Sequence, residues 1–484
     1  MENNSLKSKV LNGMFWKLLE QTGYQGIQFV VALVLARLMT PREYGTISLI
    51  TIFITIANTF VQSGFATALI QKDEIHEEDY SSVFWLSMLL ALLCYIMLLV
   101  AAPWIAIYYH TPVLTELIRV MGLVLFPGAV ISIQTARISR KLQFRKLFQA
   151  TMIAVLLSGV ISIMLAFRGF GVWAMAAQQM IYYFALMASL FLFTRWFPKL
   201  LLEMGRIRVL FSFGWKILVS GLIDTIWQNI YGLVIGKKYS SAELGVYNRG
   251  EQFPKILTGS LTAAVQSVML PAYARKQKEP ETLRRMCRRS IQFSAFIVFP
   301  MMAGLIAVAR PLVLLLLTEK WIDAAPYLAL LCLGYALLPM DSINLQLMNA
   351  MGRSDLFLRL EIIKKALGIL VLVLSLPFGI MPMLIMKIVD EYLCLIINAL
   401  PNGKLIGYGP AAQLRDLLPT AVCAALMGAG AWAVQLLKWS PLWTLMLQIP
   451  VGVVLYLFFS YLFNRASFDY TYGLILKYIQ RSPQ

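Results

Sequence analysis

The sequence predicts an all-α polytopic membrane protein of about fourteen transmembrane helices: two six-helix lobes related by a parallel repeat, plus two extra C-terminal helices. Three observations predict it. Hydrophobic residues make up 59% of the chain and charged residues 14%, against about a quarter charged in a soluble domain. The apolar residues come in runs of about 18–25, the length that crosses a bilayer as helix. Finally, one stretch is written twice. Trp16-Lys17 opens an apolar run broken by Glu20, Gln21, Gln25 and Gln28, ending in Ala36-Arg-Leu-Met-Thr-Pro-Arg-Glu-Tyr-Gly45. Trp215-Lys216 opens a second, broken by Asp224, Gln228 and Asn229, ending in Gly236-Lys-Lys-Tyr-Ser-Ser-Ala-Glu-Leu-Gly245. The endings align without a gap, Arg37 with Lys237, Thr40 with Ser240, Glu43 with Glu243 and Gly45 with Gly245. Val61-Gln62-Ser63 is echoed by Val265-Gln266-Ser267. Echoes in the same order argue for an internal duplication.

Taken in order, the first span is Phe15 to Met39 and the second Thr46 to Ile70, followed by an acidic loop, Gln71 to Tyr80. Span three is Ser82 to Tyr108 and span four Leu117 to Thr135; a basic segment, Arg137 to Lys146, leads to span five, Leu147 to Phe167. The turn Arg168-Gly-Phe-Gly171 enters span six, Val172 to Thr194. A basic, aromatic connector, Arg195 to Arg208, joins the halves. Span seven is Val209 to Ile235. A loop from Gly236 to Pro254 precedes span eight, Lys255 to Ala274, and the most basic loop, Arg275 to Arg289, follows. Span nine is Ser290 to Ala309. A short apolar piece, Pro311 to Leu317, leads to span ten, Ala324 to Ala350, and a charged loop, Met351 to Lys365. Spans eleven and twelve are Ala366 to Phe378 and Met381 to Leu400. After a loop, Pro401 to Asp416, spans thirteen and fourteen are Leu417 to Leu437 and Leu442 to Phe463. Residues 1–194 thus form the N-terminal lobe, 195–208 a cytoplasmic connector, 209–400 the C-terminal lobe, and 401–484 the extra helices and a cytoplasmic tail.

The net charge of +18 fits this topology better than nucleic-acid binding. Basic residues collect on the cytoplasmic side of membrane helices and meet anionic lipid heads. With the amino terminus inside, cytoplasmic segments hold roughly 28 Lys and Arg and outer loops about 10. Both termini are therefore expected in the cytoplasm. No cleavable signal peptide is read at the start, because Met1 to Asn12 is polar and the first span carries Lys17 and Glu20. The five cysteines have no pairing pattern, and the two histidines, His76 and His110, do not suggest a metal site. Corresponding spans run the same way through the membrane, as in transporters whose two bundles rock about a central site.

Ionisable residues inside spans are costly and usually face a cavity or a partner. They are Lys17, Glu20, Arg119, Lys216, Asp224, Asp341, Lys387, Asp390 and Glu391. Lys17 and Glu20, like Lys387 with Asp390 and Glu391, have helical spacing that allows local pairing, so self-neutralisation competes with function. Lys17 and Lys216 hold matching positions near the cytoplasmic ends of their spans, where two cations could hold a diphosphate. Snorkelling to the headgroups is the alternative. Asp224 and Asp341, with Glu20, are the candidates for binding a proton or Na⁺; helix–helix hydrogen bonding is the alternative. Gln21, Gln25 and Gln28, with Gln228, Asn229 and Arg119, are the candidate polar lining for sugar or diphosphate. No P-loop, Ser/His/Asp set or Cys/His cluster is present, so the chain does not read as an enzyme or an ATP-driven pump. No cofactor or metal is expected beyond the coupling proton or Na⁺.

Several motifs resemble those of the bacterial polysaccharide-transporter family, the O-antigen and exopolysaccharide flippases of the multidrug/oligosaccharidyl-lipid/polysaccharide exporter superfamily. They are Ala36 to Gly45, Ser63-Gly-Phe-Ala-Thr-Ala-Leu-Ile-Gln71 with Phe84-Trp85, and Gly169-Phe-Gly-Val-Trp-Ala174. In the second half they are Leu244-Gly-Val-Tyr-Asn-Arg249, Glu319-Lys-Trp321 and Gly352-Arg-Ser-Asp-Leu356. The likeness is nearest to the colanic and teichuronic acid branch and weakens beyond about Lys365. The resemblance implies movement of an oligosaccharide on undecaprenyl diphosphate across the bacterial cytoplasmic membrane by ion-driven alternating access. A polysaccharide polymerase and glycosyltransferases join the membrane lipids as expected partners. The family has no strict catalytic motif, so no site residue is carried over from it. Two other readings compete: a cation-coupled exporter of small molecules or drugs on the same fold, and a membrane glycan polymerase. The basic pair Lys17/Lys216 speaks against cationic drugs. The polymerase should carry a large outer loop, and Gly236 to Pro254 is too short to be one.

Overall fold

A computed structural model describes residues 2–62, 65–71, 74–201, 203–471 and 473, and it contains helices and no strand among them. Ser63 of the first echo, Gly64 of the Ser63–Gln71 motif, Lys72 and Asp73 of the acidic loop, Leu202 of the connector and most of the C-terminal tail lie outside the described residues. Contacts divide the chain into two compact units, residues 1–245 and 246–484.

The first unit holds α1 (Glu2–Leu38), α2 (Pro41–Gln62), α3 (Phe65–Gln71), α4 (Glu77–Tyr108), α5 (Leu114–Met121), α6 (Leu125–Arg140), α7 (Phe144–Phe167), α8 (Val172–Thr194) and α9 (Met204–Lys238). It also holds the first turn of α10 (Ser241–Ala274). α7 is its packing spine. Ala150, Ala154, Ser158, Gly159 and Ser162 form a buried stripe of small residues, the feature that lets membrane helices approach closely. A Cβ on Gly159 would stand 2.7 Å from Val31 Cγ2 of α1.

The connector is strapped across the start of α4. Trp196 Nε1 donates to Glu77 Oε2 at 2.6 Å, and Arg137 pairs with Glu77 Oε1 at 2.6 Å. Further along, Lys199 N donates to Ser81 Oγ at 3.1 Å, and Trp85 Nε1 donates to the Lys199 carbonyl at 2.8 Å. Glu77, expected in an acidic loop, is therefore the first residue of a helix and the anchor of the strap that leads into α9.

The second unit holds the rest of α10, then α11 (Pro280–Leu316), α12 (Ala324–Tyr335), α13 (Leu338–Ala350), α14 (Ser354–Ser375), α15 (Ile380–Ile406), α16 (Pro410–Ala433) and α17 (Pro441–Phe463). Its core runs through Leu283, Cys287, Ile291 and Ala295 of α11, Met340, Ile343 and Leu347 of α13, and Leu395 of α15.

Every expected span falls on a helix or a broken pair of helices. Among the described residues, 11 helices are long and apolar enough to cross a membrane. α1, α14 and α15 are absent from that set; they carry charge from Lys17 and Glu20, from Arg359 to Lys365, and from Lys387 to Glu391. The expected loops are too long. Gly236 to Pro254 shrinks to Tyr239 and Ser240, because α10 begins at Ser241 and runs through Pro254. Arg275–Arg289 shrinks to five residues before α11, and Pro311–Leu317 is not a separate piece but mostly the end of α11. Lys364, expected in a loop, is on α14. Charge ends a hydropathy window but not a helix, since Lys, Arg and Glu are good helix formers.

The repeated endings are helix starts. Thr40 N and Oγ1 both donate to Glu43 Oε2 at 2.8 Å, and Glu43 N donates back to Thr40 Oγ1 at 3.4 Å. In the second copy Glu243 N donates to Ser240 Oγ at 3.1 Å. The first is a capping box, and the second shows its serine half.

Candidate functional polar faces on α1 and α9

Residues four apart share one face of a helix. On α1 such a row is Lys17, Gln21 and Gln25, all exposed. On α9 it is Lys216, Ser220, Asp224 and Gln228, also all exposed. The two rows begin at matching positions of the repeat. Further along, both helices become buried, at Val31, Leu35 and Ala36 in α1 and at Tyr231, Ile235 and Gly236 in α9. Each helix thus has an exposed half at its lysine end, polar along this row and apolar beside it at Leu18, Val219 and Ile223, and a packed half at the other. Polar side chains that stay exposed in a span face water-filled space, because lipid would leave them unsatisfied.

The details separate the two faces. Lys17 Nζ pairs with Glu20 Oε2 at 2.5 Å, and Thr151 Oγ1 of α7 lies 3.4 Å from Glu20 Oε1. The local pairing allowed by sequence is present. Gln28 accepts from Gln178 Nε2 of α8 at 3.0 Å, so it belongs to a helix seam. Lys216 has no ion pair among the described residues. Asn229 Nδ2 donates to the Thr225 carbonyl at 2.8 Å, and the Thr225 and Thr59 hydroxyls meet at 3.1 Å across α9 and α2. Arg119 is exposed on α5, just after the α4–α5 turn. Helix alternation puts it at the end of the unit away from Lys17, so it does not join this group.

Asp341 sits on α13 in the second unit, accepting from Asn398 Nδ2 of α15 at 2.5 Å. Lys364, buried on α14, adds positive charge beside Asp341 and pairs with Glu361 at 2.6 Å. Lys387 reaches across to Glu251 Oε1 of α10 at 3.5 Å, where the Tyr247 hydroxyl also donates at 2.6 Å. Its ammonium lies 5.5 Å from the Tyr335 ring centre. Glu251 and Lys364 are charged partners of Lys387 and Asp341 that sequence reading missed, since both were assigned to loops. The signal available was Tyr247 four residues before Glu251 on a continuous helix.

A cavity of about 500 Å³ in the second unit lies among α11, α12, α15 and α16. Its walls include Met302, Ile306, Leu333, Tyr392, Leu418 and Trp432 and are almost wholly apolar. It can take a hydrocarbon chain and offers a sugar nothing to bond.

A family model described as "Polysaccharide biosynthesis protein" matches residues 34–326. The chain belongs to this family. The match begins just before the Ala36–Gly45 motif and takes in the whole second copy. Among relatives, a succinoglycan biosynthesis transport protein of Rhizobium meliloti is 26% identical over 71% of this chain and 70% of its own. A teichuronic acid biosynthesis protein of Bacillus subtilis is 24% identical over 94% and 95%. A lipopolysaccharide biosynthesis protein of Escherichia coli is 24% identical over 77% and 76%. The fold is similar to that of the lipid II flippase MurJ in an inward closed conformation, with TM-score 0.74, 13% identity, and 94% and 99% coverage. A multidrug resistance transporter of the MATE family, in an inward-facing conformation, follows at TM-score 0.57, 16% identity, and 78% and 94% coverage. At such identities these two speak to fold alone. The resemblance drawn from the motifs, the membrane-helical class and the place in polysaccharide biosynthesis all stand.

Proposed function

We propose that the chain flips undecaprenyl-diphosphate-linked oligosaccharide units from the inner to the outer leaflet of the bacterial cytoplasmic membrane by alternating access. The observation that carries this is the pair of matched, exposed polar faces on α1 and α9, each headed by a lysine. Two cations and a row of amides suit a diphosphate followed by sugar. The apolar cavity among α11, α12, α15 and α16 suits the polyprenyl chain, which no polar face would hold. Relatives named for succinoglycan, teichuronic acid and lipopolysaccharide biosynthesis support a glycan cargo.

In this reading Lys17, Lys216, Gln21, Gln25 and Gln228 meet the cargo, with Gln28 and Asn229 at its margins. Asp224, Glu20 and Asp341 are the carboxylates that couple transport to a proton or Na⁺. The lobes follow the sequence repeat, 1–194 and 209–400, with the helices after 400 as an addition. Both termini face the cytoplasm, where most Lys and Arg lie. The polymerase and glycosyltransferases of the same polymer are the expected partners.

The test uses cells lacking the chain. Single diphosphate-linked repeat units should accumulate, inaccessible to an outside-acting glycosidase, until the gene is restored. An unchanged pool of lipid-linked units would refute the flippase reading. Single units accumulating on the outer face would point to a polymerase.

A further inference from the structure

The connector roofs a groove in the first unit. Lys199 N donates to Ser81 Oγ, Trp85 Nε1 to the Lys199 carbonyl and Glu203 N to Ser82 Oγ, so this stretch is tied to α4. It sets Leu200 and Leu201 at the head of an apolar cavity of about 500 Å³. The other walls are Trp85, Met88, Leu89 and Leu92 of α4 and Phe126 of α6. The α4 residues stand at i, i+3, i+4 and i+7, one face of a helix over ~10 Å of rise. Leu89 and Leu92 are exposed, and Leu200 is 89% exposed. The same face of α4 stays apolar and exposed beyond the groove, at Ile96 and Val100. The groove therefore opens along a lipid-facing wall, and what fills it is hydrocarbon.

Charge marks its mouth. Two of the acids there are engaged, Glu77 by Arg137 and Trp196, and Asp79 by the His76 N–H at 2.9 Å. Lys199, next to Leu200, holds its Nζ 3.6 Å from Glu78 Oε1, and their side chains are 66% and 32% exposed. A pair so long and so open to water contributes little by itself. It presents a cation and an anion side by side at the head of an apolar channel.

We propose that this groove binds a zwitterionic, amine-bearing phospholipid. One acyl chain lies along Trp85, Leu89 and Leu92 beneath Leu200 and Leu201. The phosphate meets Lys199 and the primary ammonium meets Glu78, so each charge of the pair gains a charge-assisted hydrogen bond. Other occupants match less well. An anionic phospholipid, or the diphosphate of the cargo, brings negative charge to Glu78 with no ammonium to answer it. A choline headgroup has no N–H to donate. The bound lipid would fasten the connector, which leads directly into α9. The site needs only a membrane, so it stands or falls separately from the flippase reading.

The test uses purified full-length protein in phosphatidylcholine vesicles. A trace of phosphatidylethanolamine carries a diazirine midway along one acyl chain, and labelled peptides are mapped after irradiation. Peptides holding Leu89, Leu92, Leu200 and Leu201 should carry roughly threefold more label than with phosphatidylcholine or phosphatidylglycerol probes of the same chain. Glu78→Gln should abolish that preference, and Leu89→Trp, on an exposed wall, should cut labelling by all three probes, both at unchanged Tm. Equal labelling of wild-type protein by the three probes would make the groove an annular lipid contact only and overturn the proposal. A preference that survives Glu78→Gln would overturn it as well. So would label displaced by undecaprenyl phosphate but not by unlabelled phosphatidylethanolamine, which would give the groove to the tail of the cargo.

Discussion

Replacing Lys387 by Met tests whether the polar interior of the second unit is a set of matched charges. Lys387 and Glu251 keep only 15% and 16% of their side-chain surface exposed, on α15 and α10. Removing one partner of a buried pair costs ~3–5 kcal/mol, because the other charge is left uncompensated. Two details lower that here. The 3.5 Å separation is longer than the ~2.8 Å of a strong charged hydrogen bond. The Tyr247 hydroxyl, 2.6 Å from Glu251, would remain, so ~2–3 kcal/mol is expected for Lys387→Met. Glu251→Gln should cost less, because Asp390 and Glu391 remain near Lys387. The double variant removes both charges and should lie within ~1 kcal/mol of wild type. Detergent-solubilised protein followed by thermal denaturation gives the cycle: Lys387→Met should lower the apparent Tm by ~5 °C, Glu251→Gln by less, and the double by under ~2 °C. Strictly additive losses, with the double variant the least stable, would refute the pairing, since uncoupled residues add.

Lys216→Ala should abolish export at normal membrane levels, whereas Lys17→Ala should weaken it less, because Glu20 already holds Lys17. Wild-type export by a correctly inserted Lys216→Ala protein would remove that residue from the site. Thr40→Val and Ser240→Ala should each cost ~1 kcal/mol as lost caps, measured by thermal denaturation; no loss in either would remove the capping role. Ala421→Trp, which fills the apolar cavity, should cut export severalfold without lowering the Tm. Undiminished export would mean that no part of the cargo enters there.

Helix existence was legible because span length and apolar runs are set by the bilayer. Helix ends were not. α10 begins more than a dozen residues before the expected Lys255, since Glu243, Arg249 and Glu251 read as loop in a hydropathy window yet sit comfortably in a helix. The same error hid Glu251 and Lys364, and with them the partners of Lys387 and Asp341. Sequence spacing can show only partners on one helix, so Lys17 with Glu20 was within reach. Lys387 with Glu251 needed two helices brought together. The repeat marked Gly45 and Gly245 as equivalent, but equivalence alone does not say that two residues touch, as these do: a Cβ on Gly245 would stand 3.1 Å from Gly45 N.

The two copies have kept different things. What survives is backbone architecture: the caps at Thr40 and Ser240, the touching glycines, and the change from exposed to buried along α1 and α9. What has diverged is charge. Glu20 neutralises Lys17, and the matching position beside Lys216 is Val219. Gln25 corresponds to Asp224, an amide against a carboxylate. A symmetric transporter could offer a symmetric cargo two equal faces, but a lipid-linked glycan is not symmetric, with a diphosphate at one end of its sugars. Unequal faces on an equal frame answer that asymmetry. One face carries a lysine already balanced by Glu20 and a run of amides, which the proposed reading gives to sugar. The other carries a lysine with no ion pair among the described residues, which the proposed reading gives to phosphate, and a carboxylate that it gives to the coupling cation. On the proposed reading the equal frame serves alternating access and the unequal faces serve recognition.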